Sequence, residues 1–133
     1  LADIAIDKEC RRMLVAAPKG TARVIDVPTG QPAGDPLWHD ADHGITALAL
    51  SADGKRALTG GSEGIVIFWH LEAGKVEQRF HHDAPIRSVH FSPDEKTVMT
   101  ASDDATIRLW NVATGKPLGE PLFYNDTATT EIY

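Results

Sequence analysis

The chain has 133 residues, of which 42% are hydrophobic and 24% charged, a balance typical of one globular domain and not of a disordered or collagen-like chain. Its longest apolar runs, such as 65–69, fall far short of the roughly 20 residues that span a bilayer. The net charge of −6 comes without a lysine or arginine cluster, so we expect neither nucleic acid nor a membrane as partner. Cys10 is the only cysteine, which excludes an intrachain disulfide and fits a reducing, cytoplasmic location.

The sequence contains three copies of one pattern. Residues 4–31, 48–75 and 89–116 can be laid over one another at offsets of 44 and 41 residues. The second copy reads LALSADGKRALTGGSEGIVIFWHLEAGK and the third VHFSPDEKTVMTASDDATIRLWNVATGK, while the first, IAIDKECRRMLVAAPKGTARVIDVPTGQ, lacks the tryptophan. A period of roughly 40 to 45 residues without helical periodicity is typical of four-stranded propeller blades.

Within each copy, turn-forming residues separate short apolar runs. In chain order, the first copy predicts turns at 7–10 and 29–30, a strand at 22–26 and an outer strand ending near Leu37. The second predicts turns at 51–54, 63–64 and 73–74, strands at 56–60 and 65–70, and an outer strand ending near Phe80. The third predicts turns at 92–95, 103–104 and 114–115, strands at 97–101 and 107–111, and an outer strand ending near Leu122. Evenly spaced, turn-bounded strands predict an all-β repeat architecture.

These residues resemble the WD-repeat (WD40) family. Its pattern is a histidine opening the blade, a Phe-Ser-Pro-Asp-Gly turn, an aspartate in the second turn and a Trp-Asp pair closing the third strand. The third copy places His82, Thr100, Asp104 and Trp110 at these positions, with Asn111 in place of the final aspartate. The resemblance implies a structural hydrogen-bonded chain in which Asp104 accepts from His82, the imidazole bonds Thr100, and the Thr100 hydroxyl accepts from the Trp110 indole N–H.

The other two copies depart from this pattern to different degrees. The second copy offers His39, Thr59, Glu63 and Trp69, with a longer acid at the first link. The first copy has Val15, Lys19 and Ile25 at the corresponding positions and cannot build the network.

We therefore expect an all-β fold, a partial β-propeller of about three four-stranded antiparallel blades in an incomplete ring. The predicted domains are a degenerate blade at 1–44, a blade at 45–85, a truncated blade at 86–124 and a non-native tail at 125–133. The tail sequence NDTATTEIY is the direct translation of aatgatacggcgaccaccgagatctac, which resembles a common sequencing adapter. Finding these codons in the native frame of independent clones would contradict that interpretation.

Two other constellations have residue types that suggest chemistry, and each has a plainer interpretation. The run His39-Asp40-Ala41-Asp42-His43 has metal-ligand residue types, but it falls in a loop, and a zinc site also needs a third ligand and a second shell. The glycine-rich segment 60–64 lacks the Lys-Ser/Thr ending of a phosphate-binding loop and precedes a strand. No nucleophile–base set stands out beyond the predicted network. We expect no catalytic residues, no metal and no cofactor.

The resemblance implies a non-catalytic scaffold that binds other proteins or peptides and no small-molecule substrate, with contacts on loops at one rim of the propeller. By resemblance, Thr46, Ser62, Arg87 and Asp103 are the candidate rim positions. Alternatively, the chain is the docking propeller of a larger enzyme, because residues 114–122 and 29–37 also resemble bacterial multi-repeat proteins, some of which carry a Ser/Thr kinase domain. A third hypothesis is a catalytic propeller with its site outside this chain.

Overall fold

The computed structural model describes residues 4–17, 20–34, 36–39 and 44–123. Within these ranges the chain forms thirteen β-strands and no α-helix. In chain order they are β1 (Ile4–Ile6), β2 (Arg12–Ala17), β3 (Thr21–Asp26), β4 (Gln31–Pro32), β5 (Leu37–Trp38), β6 (Ile45–Leu50), β7 (Arg56–Gly61), β8 (Ile65–His70), β9 (Lys75–His81), β10 (Ile86–Phe91), β11 (Thr97–Ser102), β12 (Thr106–Asn111) and β13 (Leu122–Phe123).

The strands form three antiparallel sheets, each built from consecutive segments of the chain. Blade 1 has the order β1-β2-β3, with β4 and β5 both paired to β3 at the outer position. Blade 2 has the order β6-β7-β8-β9 and blade 3 the order β10-β11-β12-β13. The predicted all-β class and the four-stranded antiparallel blades are confirmed.

The hydrophobic core lies between the blades and not within one of them. Successive side chains of a strand point to opposite faces, so each strand of the middle blade supplies two cores. Ile67 and Trp69 of β8 join the cluster packed against blade 1, while Val66 and Phe68 join the cluster packed against blade 3. This explains why β8 is apolar from Ile65 to Trp69, unlike a strand with one face in water.

The inner strands of blades 2 and 3 carry a bulge at the same place. In β6 the register passes from Ile45 to Ala47, and in β10 it passes from Ile86 to Ser88. Thr46 and the equivalent Arg87 are therefore left out of the ladder. A bulge bends its strand and redirects the side chain of the extra residue.

The outer strands of blades 1 and 3 are split where the sequence predicted one continuous strand. Pro32 pairs with Ile25, and the equivalent Pro117 pairs with Trp110 in an isolated bridge. Pairing resumes only at β5 and β13. Proline lacks the N–H that would continue a ladder, so such residues are confined to strand edges and interruptions. Blade 2 has no proline in this segment, and β9 is one strand of seven residues whose ladder contains a single bulge between Val76 and Gln78.

The first turn of every blade requires a left-handed residue at one position. Cys10, Gly54 and Glu95 occupy it with φ of 58°, 73° and 61°. Only glycine adopts this conformation without steric cost, so blades 1 and 3 each hold a strained residue where blade 2 does not. Cys10 is exposed in this turn.

The predicted tail at 125–133 lies outside the described residues, as do Lys19 and the segment 40–43. The predicted domain boundaries remain predictions. Among the described residues, no helix is long and apolar enough to cross a membrane.

Candidate interaction surface

Different turns lie at the two ends of the blades. One end, here called the loop rim, consists of the β7–β8 turn (62–64), the β11–β12 turn (103–105) and the connection between blades 2 and 3 (82–85). The opposite end, the hairpin rim, consists of the first turns at 7–11, 51–55 and 92–96. At the loop rim, the Ser62 amide donates to the Gly44 carbonyl over 3.1 Å, and the Asp103 amide donates to Pro85 over 2.9 Å.

A buried hydrogen-bond network supports the loop rim in blade 3. The Trp110 indole N–H donates to Thr100 Oγ1 over 2.9 Å, and Thr100 Oγ1 lies 2.6 Å from His82 Nε2. His82 Nδ1 lies 3.3 Å from Asp104 Oδ2. An ionised carboxylate only accepts, so Nδ1 carries the proton, and Thr100 donates to Nε2. Each of these hydrogen bonds therefore donates in the same direction, from the tryptophan and threonine at the blade core toward the aspartate in the rim turn.

Thr106 is a fifth member of this network that the sequence pattern did not single out. Its hydroxyl donates to Asp104 Oδ1 over 2.5 Å and lies 3.2 Å from His82 Nδ1. The amide of Thr106 donates to the same carboxylate oxygen over 2.9 Å. The equivalent residue of blade 2 is Ile65, which cannot do this, so comparing the two copies hides the role. The only signal was a threonine two residues after an aspartate in a turn.

The charge states of the network follow from burial and hydrogen bonding. Burial of the imidazole lowers the pKa of His82, although Asp104 opposes this shift. Burial alone would raise the pKa of Asp104, but hydrogen bonds from Thr106, Asp83 and His82 outweigh it and lower the pKa to about 2. At neutral pH the pair is therefore a neutral histidine and an ionised aspartate, as the hydrogen-bond direction requires.

Blade 2 builds the same network with its histidine ring reversed. Trp69 Nε1 donates to Thr59 Oγ1 over 3.0 Å, and Thr59 Oγ1 lies 2.7 Å from His39 Nδ1. His39 Nε2 lies 2.7 Å from Glu63 Oε1. The longer acid therefore makes the first link, and this link is shorter than the corresponding link in blade 3.

Room for the longer acid comes from Gly61. A Cβ at Gly61 would collide with Glu63 Oε1 and would lie 2.5 Å from His39 Nε2. The equivalent residue of blade 3 is Ser102, whose hydroxyl donates to the Ala84 carbonyl over 2.9 Å. Blade 2 thus combines the longer Glu63 with Gly61, whereas blade 3 combines the shorter Asp104 with Ser102.

Blade 1 has hydrophobic residues in the corresponding places. Val15 and Ile25 lie in β2 and β3, and Lys19 lies outside the described residues. The buried hydrophobic side chains in the described part of this blade are Leu14, Ala16, Ala22, Val24 and Leu37, so apolar packing against blade 2 holds its strands.

The predicted rim residues form two equivalent pairs: Ser62 and Asp103 lie in the turns of the loop rim, and Thr46 and Arg87 lie beside them near the starts of β6 and β10. Thr46 and Ser62 belong to blade 2, and Arg87 and Asp103 belong to blade 3. The Thr46 hydroxyl lies 2.5 Å from the Ile86 carbonyl and ties blade 2 to blade 3. Arg87 Nε lies 2.6 Å from Asp103 Oδ1, and these side chains are 70% and 43% exposed. The rim thus presents a charged pair to solvent, whereas the Thr46 hydroxyl is used between blades.

The histidine–aspartate run at 39–43, whose residue types resemble metal ligands, lies only partly in the described part of the chain. There, no three His, Cys, Asp or Glu side chains converge as metal ligands. His39 is committed to Thr59 and Glu63, and the rest of the histidine–aspartate run, 40–43, lies outside the described residues.

Three consecutive four-stranded antiparallel blades with interblade cores define the β-propeller class. Residues 9–129 match the family model of the Nucleolar protein 10-like, N-terminal domain, a β-propeller. With its Trp, Thr, His and acid networks, this chain belongs to the WD-repeat β-propeller family.

Individual relatives agree with this assignment. WD repeat-containing protein SL1-17 of Schistosoma mansoni is 32% identical over 113 residues, which are 85% of this chain and 37% of that protein. Target of rapamycin complex subunit wat1 of Schizosaccharomyces pombe is 23% identical over 115 residues, 84% of this chain and 37% of that protein. The β-propeller domain of Cps50 (Swd1) from Myceliophteria thermophila superposes with a TM-score of 0.81 at 20% identity, over 91% of this chain and 38% of that one. The chain therefore spans little more than a third of each.

Proposed function

We propose that the chain is part of a non-catalytic scaffold whose loop rim binds other proteins or peptides. The observation that carries this proposal is the exposed Arg87–Asp103 pair at the end of a blade whose core is fixed by buried hydrogen bonds. A rigid support holds the rim side chains in place, so a partner meets a preorganised surface and less conformational entropy is lost on binding. The name of wat1, a subunit of the Target of rapamycin complex, supports a role within an assembly.

The histidine and aspartate of blade 3 are better explained as structure than as chemistry. The His82 side chain is fully buried, and the side chain of Asp104 is only 14% exposed. Both ring nitrogens of His82 are already engaged, by Thr100 and by Asp104. A general base must reach the proton that it abstracts from a substrate, and this imidazole has no free nitrogen facing solvent. This pair is therefore assigned a structural role.

The test compares two exposed ion pairs at opposite rims. In the full-length protein, Arg87→Ala with Asp103→Ala removes the loop-rim pair, and Glu9→Ala with Arg11→Ala removes a pair at the hairpin rim whose side chains are 69% and 76% exposed. Quantitative affinity purification from the native organism should show at least one partner reduced about fivefold or more by the loop-rim change alone. Equal partner sets for both variants and the wild type would refute the proposal.

A finer proposal concerns the origin of the chain. The two proline-containing outer segments on which the resemblance to bacterial multi-repeat proteins rests split their strands in the same way. We propose that the chain comes from such a protein and that it docks substrates for a fused enzyme, for example a Ser/Thr kinase. The complete reading frame tests this, because a kinase domain would carry its own glycine-rich loop and HRD and DFG motifs.

A further inference from the structure

A groove of about 470 Å³ opens on the outer perimeter between blades 1 and 2. Its floor includes the buried side chains of Val24, Leu37 and Trp69. Trp38 also borders it and is 61% exposed, but its pairing with Thr21 places its side chain on the face of blade 1 opposite the side chain of Leu37. This groove, here called the outer groove, is separate from the loop rim and shares no residue with Thr46, Ser62, Arg87 or Asp103.

The corresponding place between blades 2 and 3 is closed by a side chain. Gln78 of β9 reaches across, and its Nε2 donates to the Val112 carbonyl over 3.2 Å. A Cβ at Gly115 would lie 2.5 Å from Gln78 Oε1, so the glutamine lies directly over the turn of the next blade. Behind it, the rings of Phe80 and Trp110 pack with centroids 4.9 Å apart.

Smaller residues leave the junction between blades 1 and 2 open. Leu37 pairs with Ala22 as Phe80 pairs with Val66, so the position of Phe80 is filled by a leucine.

The covering side chain is missing as well. Ala33, whose amide donates to the Val24 carbonyl, stands in blade 1 where Gln78 stands in blade 2. Gly74, the counterpart of Gly115, has nothing within 4 Å of its Cβ position. The cover seen at one junction is absent at the other because alanine cannot span the gap.

The chemistry of the groove indicates its occupant. Among the described residues that line it, Glu72 alone is charged, and it is exposed and forms no ion pair with them. The other described residues that line it have apolar side chains, and their backbone groups add polar surface. An apolar surface rimmed by polar groups marks a protein interaction site. An apolar side chain fits the floor, and a cation beside it matches Glu72.

We propose that the outer groove binds a peptide segment of another protein that inserts an apolar side chain between blades 1 and 2 and places a lysine or arginine next to Glu72. The peptide would take the place that Gln78 occupies at the next junction. This site is independent of the loop rim, so a scaffold would hold two partners at once.

The experiment selects short peptides from a displayed random library on the immobilised full-length protein, with Ala33→Gln as the counter-selection target. Enriched peptides are expected to carry a large apolar residue beside Lys or Arg. Synthetic versions should bind Ala33→Gln at least about tenfold more weakly. No enrichment, acidic consensus peptides, or equal binding to Ala33→Gln would overturn the proposal.

Two further variants test the charge of the groove and its independence from the loop rim. Glu72→Lys, at an exposed position, should weaken lysine-containing peptides about two- to fivefold and favour versions with Glu in place of Lys. Arg87→Ala with Asp103→Ala should leave peptide affinity unchanged, so failure of the rim proposal and failure of this one are distinguishable. Thermal unfolding of Ala33→Gln shows whether the variant is folded. Self-association of the wild type that Ala33→Gln abolishes would assign the groove to a second copy and overturn the peptide proposal.

Discussion

The hydroxyl of Thr100 is the central link of the blade 3 network. It accepts from Trp110 and donates to His82, and it is fully buried. Its removal would leave a buried indole N–H and a buried imidazole nitrogen without partners. Leaving buried polar groups unsatisfied costs more than the hydrogen bonds themselves contribute.

We expect Thr100→Val to lower the free energy of unfolding of the full-length protein by about 2 to 4 kcal/mol, because two buried groups lose their partner while the side-chain shape is kept. Thr97→Val in the same strand is the control, since the Thr97 hydroxyl forms no hydrogen bond within the described part of the chain, and it should cost about 0.5 kcal/mol or less. Urea unfolding measures both. Equal losses for the two variants would contradict a special role for Thr100.

Gly61 and Glu63 are coupled because their side-chain positions share the same space. The glutamate reaches His39 only because Gly61 has no side chain. Blade 3 solves the same problem with Ser102 and the shorter Asp104. Residues that share space in this way give non-additive mutational effects.

This pair can be tested with a double-mutant cycle. Gly61→Ser alone should destabilise the protein by about 2 kcal/mol through collision with the Glu63 carboxylate, and Glu63→Asp alone by about 1 kcal/mol through a lengthened link to His39. The double variant recreates the pairing of blade 3 and should recover at least about 1 kcal/mol relative to the sum. Strict additivity in chemical denaturation would show that the two positions are not coupled.

At the scale of the element, the first turn of blade 3 shows how a hairpin tolerates a non-glycine residue in the left-handed region. Ser92 Oγ donates to Asp94 Oδ1 over 2.6 Å, and the Asp94 carboxylate accepts from the Lys96 amide over 3.0 Å. These bonds fix the turn although Glu95 must adopt φ of 61°. Blade 2 makes the same bonds through Ser51 and Asp53, with glycine at the strained position.

Glu95→Gly is therefore expected to stabilise the full-length protein by about 1 kcal/mol, because it removes left-handed strain that exceeds the added entropy of the unfolded chain. Lys96→Gly, one residue later and outside the left-handed region, is the control and should destabilise by roughly 0.5 to 1 kcal/mol. The shift in thermal midpoint measures both. A destabilised Glu95→Gly variant would mean that the carboxylate makes a compensating contact.

At the scale of the molecule, every core in the described part of this chain lies between two blades. The outward faces of blades 1 and 3 leave large apolar side chains in solvent, with exposures of 50% for Ile4, 50% for Ile6 and 41% for Met99. In repeat folds the neighbouring unit supplies the covering surface. Of the three described blades, only the middle one has both faces covered.

Residues 1–133 expressed alone should consequently be poorly soluble or molten, because the outward faces and strand edges have no neighbour. We expect strong binding of a hydrophobic dye, a broad thermal transition and association at micromolar concentration, whereas the full-length protein should unfold sharply and bind little dye. Analytical ultracentrifugation and calorimetry measure this. A monodisperse monomer with one sharp transition would refute the expectation.

Much of the fold was predictable because every blade of a propeller repeats the same pattern of turn-forming residues and apolar runs. The periodic turns and apolar runs, present three times over, predicted the three blades. The split of β4 from β5 was not predicted, because a proline that recurs within a repeated motif does not by itself show where a ladder is interrupted. The partnership of Gly61 with Glu63 was equally hidden, because the need for a turn is already sufficient to account for a glycine there.

The sequence by itself determined the class, the strand order and four residues of each blade network, because these depend on spacing along the chain and on residue types within one repeat. Only the tertiary structure decided how neighbouring blades meet. It showed that Gln78 covers one junction and that Ala33 leaves the other open. It also showed that Thr46 is used between blades while Arg87 faces solvent. The physical reason is that contacts between blades join residues about 40 positions apart, and no local pattern encodes whether two such side chains fill the space between them.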